Sequence, residues 1–378
     1  MKKIFAVLAF GLALGCAAKH EPAPKTKYTD QELGQLLLVG FRGTEINKES
    51  PIVQQIKDYN LGGVILFDYD MESKSFGRNI TDANQLLKLS SALVAYASTP
   101  PIIAIDQEGG KVARLKPSTG FPKSVTAEYL GTLDTEDSTR FYAKKMAQEF
   151  MVVGLNTNFA PVLDVNTNPE NPVIAKYGRS YSSNPDKVVE HAAYVLDEFD
   201  KEGILSVVKH FPGHGSSTSD SHLGVTDVTE TWNSIELQPY KDLFESRTIN
   251  AVMTAHIYNA NIDSVWPATL SEKTINGLLR DSLGFKGVVF SDDMQMEAIR
   301  SEYGLETAIA QSLNAGVDIL VFGNNLVYEE NIAETAIKTM QKLIAENRIS
   351  EATVDSALAR VGRLKKDVIE DLCTCLTF

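Results

Sequence analysis

Cysteine is nearly absent from this chain. Three occur in 378 residues, Cys16, Cys373 and Cys375. The last two form a Cys-x-Cys pair too tight for an ordinary disulfide, so no disulfide framework holds the fold. Runs of basic residues are missing as well. The 36 Lys and Arg stand against 49 Asp and Glu, a net charge of −13. A protein that neutralises phosphates needs clustered cations, so nucleic acid is excluded as a partner. No Gly-x-Gly-x-x-Gly follows the first apolar run, which disfavours a dinucleotide site. No Pro/Ser linker interrupts the chain after residue 30, so one large domain is expected. Histidine is scarce too. Of six, three (His210, His214, His222) fall in KHFPGHGSSTSDSH, residues 209–222. With 43% hydrophobic and 22% charged residues, the rest of the composition suits a globular protein with a sizeable core.

The first residues are processing signal rather than fold. MKKIFAVLAFGLALGC has Lys2 and Lys3, an apolar stretch from Ile4 to Leu14, then Gly15 and Cys16. This order is that of a secretory signal, and its apolar run is too short for a spanning helix. A cysteine after the small residue predicts cleavage before Cys16 and lipidation of its thiol. Ala13 stands where such signals usually carry Leu. Residues 1–15 are then the signal and 16–29, rich in Pro, Lys and Ala, a tether. Ala17 is not a retention aspartate, so the expected location is the outer membrane of a two-membrane envelope. Membrane contact is through that lipid alone. A barrel domain is expected over 30–370, with 371–378 a tail for which the residues offer no role. Oligomeric state is left open, a monomer being the default.

Eight short apolar runs read as strands: 36–41, 62–67, 101–106, 157–165, 205–211, 251–257, 287–293 and 316–322. They are near-continuous in Val, Ile and Leu, as strands buried on both faces are. Helical patterns lie between them, clearest over 186–203 and 271–285, with a last helix near 329–347 and a closing segment over 350–370. Strand alternating with helix means a parallel sheet. Eight such units fit a (β/α)₈ barrel, whose chemistry sits at the C-terminal ends of its strands. Those ends carry Asp106, Asp164, Lys209, His210, His256, Asp292 and Asp293. Charges at strand after strand, where turn residues would serve a purely structural barrel, point to an enzyme.

The motifs IDQEGGKVARL (105–115), GRSY (178–181), KHFPGHG (209–215), DSH (220–222) and FSDDM (290–294) together resemble the β-N-acetylglucosaminidase branch of glycoside hydrolase family 3. The resemblance covers roughly 30–370. Ser216 and Ser217 stand where the family commonly has Asp-Thr, and Lys111 where it usually has Arg. Two-domain relatives take a glutamate acid from a second domain. The length here favours the single-domain branch.

The resemblance implies a retaining glycosidase with a covalent nucleophile at Asp292 and an acid/base pair of His222 held by Asp220. Asp106, Arg114, Arg179, Lys209 and His210 are implied as ligands of the sugar hydroxyls. Strand alternation turns Asp293 away from the site. Asp164 and His256 are expected behind the sugar-contacting groups, His214 as a brace of its loop, and His191 as structural. An imidazole titrates near neutrality, and an adjacent carboxylate fixes its tautomer and steadies its charged form. His-x₃-His also occurs in zinc sites, but Pro212 and Gly213 forbid the helix that would align the pair. No metal and no cofactor are expected. The expected partner is a small carbohydrate, a GlcNAc-terminated oligosaccharide or peptidoglycan fragment. Two alternatives stay open: a phosphorylase using the same pair, since a neutral imidazole would admit an anionic acceptor, and a non-catalytic glycan-binding envelope protein.

Overall fold

In the computed structural model, residues 26–221 and 224–370 are described. Cys16, His222, Cys373 and Cys375, with the signal and tail, lie outside them. Eight strands close a barrel: β1 (Leu37–Gly40), β2 (Gly63–Ile65), β3 (Ile102–Ile105), β4 (Thr157–Asn158), β5 (Leu205–Phe211), β6 (Ala251–Thr254), β7 (Val288–Asp293) and β8 (Ile319–Phe322). Each pairs in parallel with its neighbours in sequence, and β1 with β8 completes the ring. Every expected apolar run contains one strand. The apolar residues of the strands are buried, because the barrel interior covers one face and the helices the other.

The helix Pro185–Lys201 shows how the outer layer forms. Asn184 caps it by accepting the Asp186 N–H, and Pro185 takes the first helical position, where its missing N–H costs nothing. Val188, His191, Ala192, Val195, Leu196 and Phe199 fall on one stripe and are buried. His191 lies in that stripe, its Nδ1 2.8 Å from Thr139 Oγ1 and its ring stacked on Tyr181. The expected helices near the C-terminus run over Ile332–Ala345 and Glu351–Leu364. The pattern over 271–285 forms a widened π-helix, Lys273–Ser282.

Two expectations need correction. The run 157–165 is not one strand. β4 ends at Asn158, since Pro161 has no N–H to give a ladder, and Val162 returns only as an isolated bridge to Lys209. Strict alternation fails at two other strand ends. On β5, Val208 pairs with Val252 and Phe211 with Thr254, three residues against two. On β7, Phe290 pairs with Ile319 and Asp293 with Val321, again three against two. These bulges re-aim side chains, so Lys209 and His210, and likewise Asp292 and Asp293, line one cavity although they are sequence neighbours.

Candidate active site

That cavity opens at the C-terminal end of the barrel and measures about 550 Å³. Its floor is apolar, built from Ile65, Phe159, Met253 and Val321. Charged groups stand above it in alternating sign. Arg114 Nη2 donates to Asp106 Oδ2 at 3.0 Å, and Lys209 Nζ to Asp106 Oδ1 at 2.9 Å. The same ammonium lies 2.7 Å from Glu108 Oε1. Arg179 grips Glu108 with two parallel bonds of 2.7 Å, and its Nη2 is 3.1 Å from His210 Nε2. His210 Nδ1 is 2.6 Å from Asp164 Oδ2. A hydrogen on Nδ1, donated to Asp164, leaves Nε2 to accept from Arg179.

The charges set one another's protonation. Burial alone would raise Asp106, Glu108 and Asp164. For Asp106, Lys209 and Arg114 outweigh burial and hold it well below the usual carboxylate range. Arg179 and Lys209 bring Glu108 down to about 2, and His210 brings Asp164 down to about 2. Burial would lower Lys209, but Asp106 and Glu108 hold its pKa above the ordinary value. Asp106, Glu108, Asp164 and Lys209 are therefore charged at neutral pH. Buried charges pay their desolvation only in such mutual pairing. The result is a rigid array of donors and acceptors with little reorganisation left for a ligand to impose.

The residues expected to meet a sugar are thus brought together. Asp106, Arg114, Arg179, Lys209, His210, Asp220 and Asp292 all line the cavity. Asp292 is the last residue but one of β7, its Oδ1 accepting the Asp293 N–H at 2.8 Å. Asp293 also lines the cavity, against the expectation from alternation, because of the bulge. Its Oδ1 accepts the N–H groups of Gln295 and Gly323, each at 3.0 Å. Its carbonyl takes a bond from His256 Nε2 at 3.0 Å. Glu108 was not foreseen. Its signal was arithmetic, since two buried cations, Lys209 and Arg179, need more negative charge than Asp106 supplies.

The sequence matches the family described as "Glycosyl hydrolase family 3 N terminal domain" over residues 28–364. The chain belongs to glycosyl hydrolase family 3. Among relatives, a protein named β-hexosaminidase A from Pseudoalteromonas piscicida is 32% identical, the match covering 89% of this chain and 61% of that protein. A protein named β-hexosaminidase from Tolumonas auensis is 33% identical over 76% of this chain and 83% of its own length. A solved family 3 β-N-acetylglucosaminidase from Paenibacillus superposes with a TM-score of 0.81 at 33% identity, covering 90% of this chain and 62% of that one. The chain thus spans about three fifths of the first and last of these proteins.

Within this family 3 site, the loop that leaves β5 is pinned from below. Asp164 Oδ1 accepts the His214 N–H at 2.8 Å. Ser217 Oγ lies 2.7 Å from His214 Nδ1 and Ser221 Oγ 3.4 Å from Nε2. Burial lowers the His214 pKa to about 4, so the ring is neutral and suits two hydroxyl partners. Ser217, one of the departures from the family pattern, is therefore a bracing residue here. Gly215 passes so close to Val165 that a Cβ would sit 1.7 Å from its carbonyl oxygen. The Gly215 N–H donates to Glu236 Oε2 at 2.7 Å. Glu236 is fully buried and was not foreseen either.

Burial, aided by the negative charge of Asp164, raises the Glu236 pKa to about 7. A carboxyl raised on folding binds more protons in the folded state between its ordinary pKa of roughly 4.3 and the raised value. Stability from this group therefore falls as pH rises through that window. Glu236→Gln keeps an oxygen for Gly215 and cannot ionise. Its melting temperature relative to wild type is expected to be about 2 °C more favourable at a pH of about 8 than at about 5. Thermal denaturation at both values measures this. An offset independent of pH would show that Glu236 does not ionise in this range.

Proposed function

We propose that the chain is a retaining exo-β-N-acetylglucosaminidase that removes terminal GlcNAc from peptidoglycan fragments or chitin oligosaccharides. The observation that carries this reading is the placement of the Asp292 carboxylate in the same cavity as the Asp106–Lys209–Glu108–Arg179–His210 array. A pyranose has hydroxyls on its rim and needs several fixed donors and acceptors at once. The array supplies them, and Asp292 offers a nucleophile at a rigid strand end. The names of the relatives give the acyl-amino sugar and the hydrolytic outcome.

In this reading Asp292 attacks the anomeric carbon and forms a glycosyl ester as the leaving oxygen departs. His222, oriented by Asp220, gives its proton to that oxygen and then takes one from water in the second step. Asp106, Arg114, Arg179, Lys209 and His210 hold the hydroxyls. A sugar oxygen reaching His210 Nε2 shares it with Arg179. The signal ending at Cys16 supports an envelope enzyme carried on an N-terminal lipid.

The test is a panel of chromogenic glycosides assayed with and without phosphate. Hydrolysis of the N-acetylglucosaminide, with glucoside and xyloside at least about 100-fold slower, is expected. Sugar 1-phosphate as the main product in phosphate would instead establish a phosphorylase. No turnover of any glycoside would leave a binding protein.

A further inference from the structure

At the outer edge of the cavity a small hairpin pairs Tyr69–Asp70 with Ser75–Phe76, in the register Tyr69 to Phe76 and Asp70 to Ser75. Phe76 lines the cavity and is 72% exposed, while the Lys209 side chain deeper in is 3% exposed. An aromatic ring left in water forgoes the stabilisation that burial would bring. Folding of the hairpin does not call for this ring. Its attachments come from other residues. Asp70 accepts from Arg42, Arg78 and the Ser73 N–H, and the Arg78 side chain is fully buried. Asn325 accepts the Met71 N–H and donates to the Tyr69 carbonyl. Phe76 itself is only steadied, by the edge of Tyr69 with centroids 4.9 Å apart and by Lys116 Nζ, 5.5 Å from its centroid. Lys116 is in turn fixed by Asp68 at 2.6 Å.

A buried ion pair thus anchors a surface hairpin whose outermost group is an open aromatic ring beside a fixed ammonium. An apolar surface with a hydrogen-bond donor at its border matches a pyranose, which has a face of C–H groups and a rim of hydroxyls. The cavity lies within the range that buries a drug-sized ligand, more than a single monosaccharide fills. With the charged array and Asp292 at the inner end, the hairpin stands where the leaving portion of a substrate would emerge.

We propose that Phe76, carried on the hairpin Tyr69–Phe76 and flanked by Lys116, is the stacking platform for the sugar ring on the leaving side of the scissile bond. This rests on the glycosidase reading above. It makes the protein selective for sugar aglycones and assigns a specificity role to a residue outside the charged array.

The test compares wild type, Phe76→Ala and Phe76→Tyr on three substrates. Two have a leaving sugar: chitobiose, and GlcNAc linked to N-acetylmuramic acid. The third, N-acetylglucosaminyl fluoride, has no leaving ring. Phe76→Ala is expected to lower kcat/KM about tenfold on the disaccharides, to change the fluoride less than about twofold, and to be rescued by Phe76→Tyr. A loss on one disaccharide alone would identify that sugar as the aglycone. Equal loss on all three substrates, or none on any, would overturn the platform. Wild-type turnover of the fluoride tests the glycosidase reading separately. If wild type turns over nothing, calorimetric binding of chitobiose decides, and equal affinity for wild type and Phe76→Ala overturns the platform.

Discussion

Asp292→Ala is expected to leave a folded barrel that cleaves N-acetylglucosaminides at least about 10⁴-fold more slowly than wild type, the order of loss that follows removal of a covalent nucleophile. The side chain is only half-buried at the end of β7. A carboxylate that is not fully buried can be removed without unfolding the barrel, so melting should move by no more than about 4 °C. Asp293 is no substitute, although it lines the same cavity. Its Oδ1 holds the backbone of Gln295 and Gly323, and its Oδ2 would be 2.4 Å from a Cβ placed at Gly323. A fluorinated glycosyl inactivator that slows the second step should label wild type at Asp292, read by peptide mass spectrometry. Label on Asp293, or near-normal rates in Asp292→Ala, would assign the nucleophile elsewhere.

The second large effect should depend on the leaving group. A sugar leaving group needs its oxygen protonated as the bond breaks, whereas an acidic aryl group departs unaided. His222→Ala is therefore expected to lower kcat/KM for GlcNAc disaccharides about 10³-fold, while sparing the first step on activated aryl glycosides. Turnover of those glycosides should stall at the ester, because no base activates water. Azide, which needs no base, should restore it and yield the glycosyl azide. Asp220→Ala should follow the same trend more mildly, since the imidazole remains but is less basic and less well held. The measurement is kcat/KM across leaving groups of graded acidity, with and without azide. A uniform loss with no azide rescue would make His222 a binding residue.

The barrel was legible because its signal is redundant. A strand such as Ile102–Ile105 is apolar on both faces and cannot be mistaken for a half-exposed one. Much of the site was legible too, since Asp106, Lys209 and Asp292 stand at the ends of such runs. What stayed hidden depends on geometry that alternation does not carry. The bulges on β5 and β7 put neighbours on one side of the wall, and no residue type announces a bulge. Glu108 lies past its strand, among loop glycines, and gains meaning only when Lys209 and Arg179 are seen converging on it. Glu236 is distant in sequence from the loop it anchors. The hairpin carrying Phe76 has no signature in the sequence, because two-residue strands leave no period to read.

The alternating array above the barrel floor also constrains how this protein can change over generations. Each charge in the series Arg114, Asp106, Lys209, Glu108 and Arg179 is the counter-ion of its neighbours. Neutralising one member takes a partner from buried neighbours and unbalances the charge around them, at a cost of about several kcal/mol. Altering two opposite members together largely avoids that cost. Single-step drift across this region is thus nearly closed, and viable routes run through paired or compensated exchanges. The hairpin at the rim has no such coupling at Phe76. New preferences for the departing sugar can therefore arise there one residue at a time, while recognition of the retained sugar stays locked.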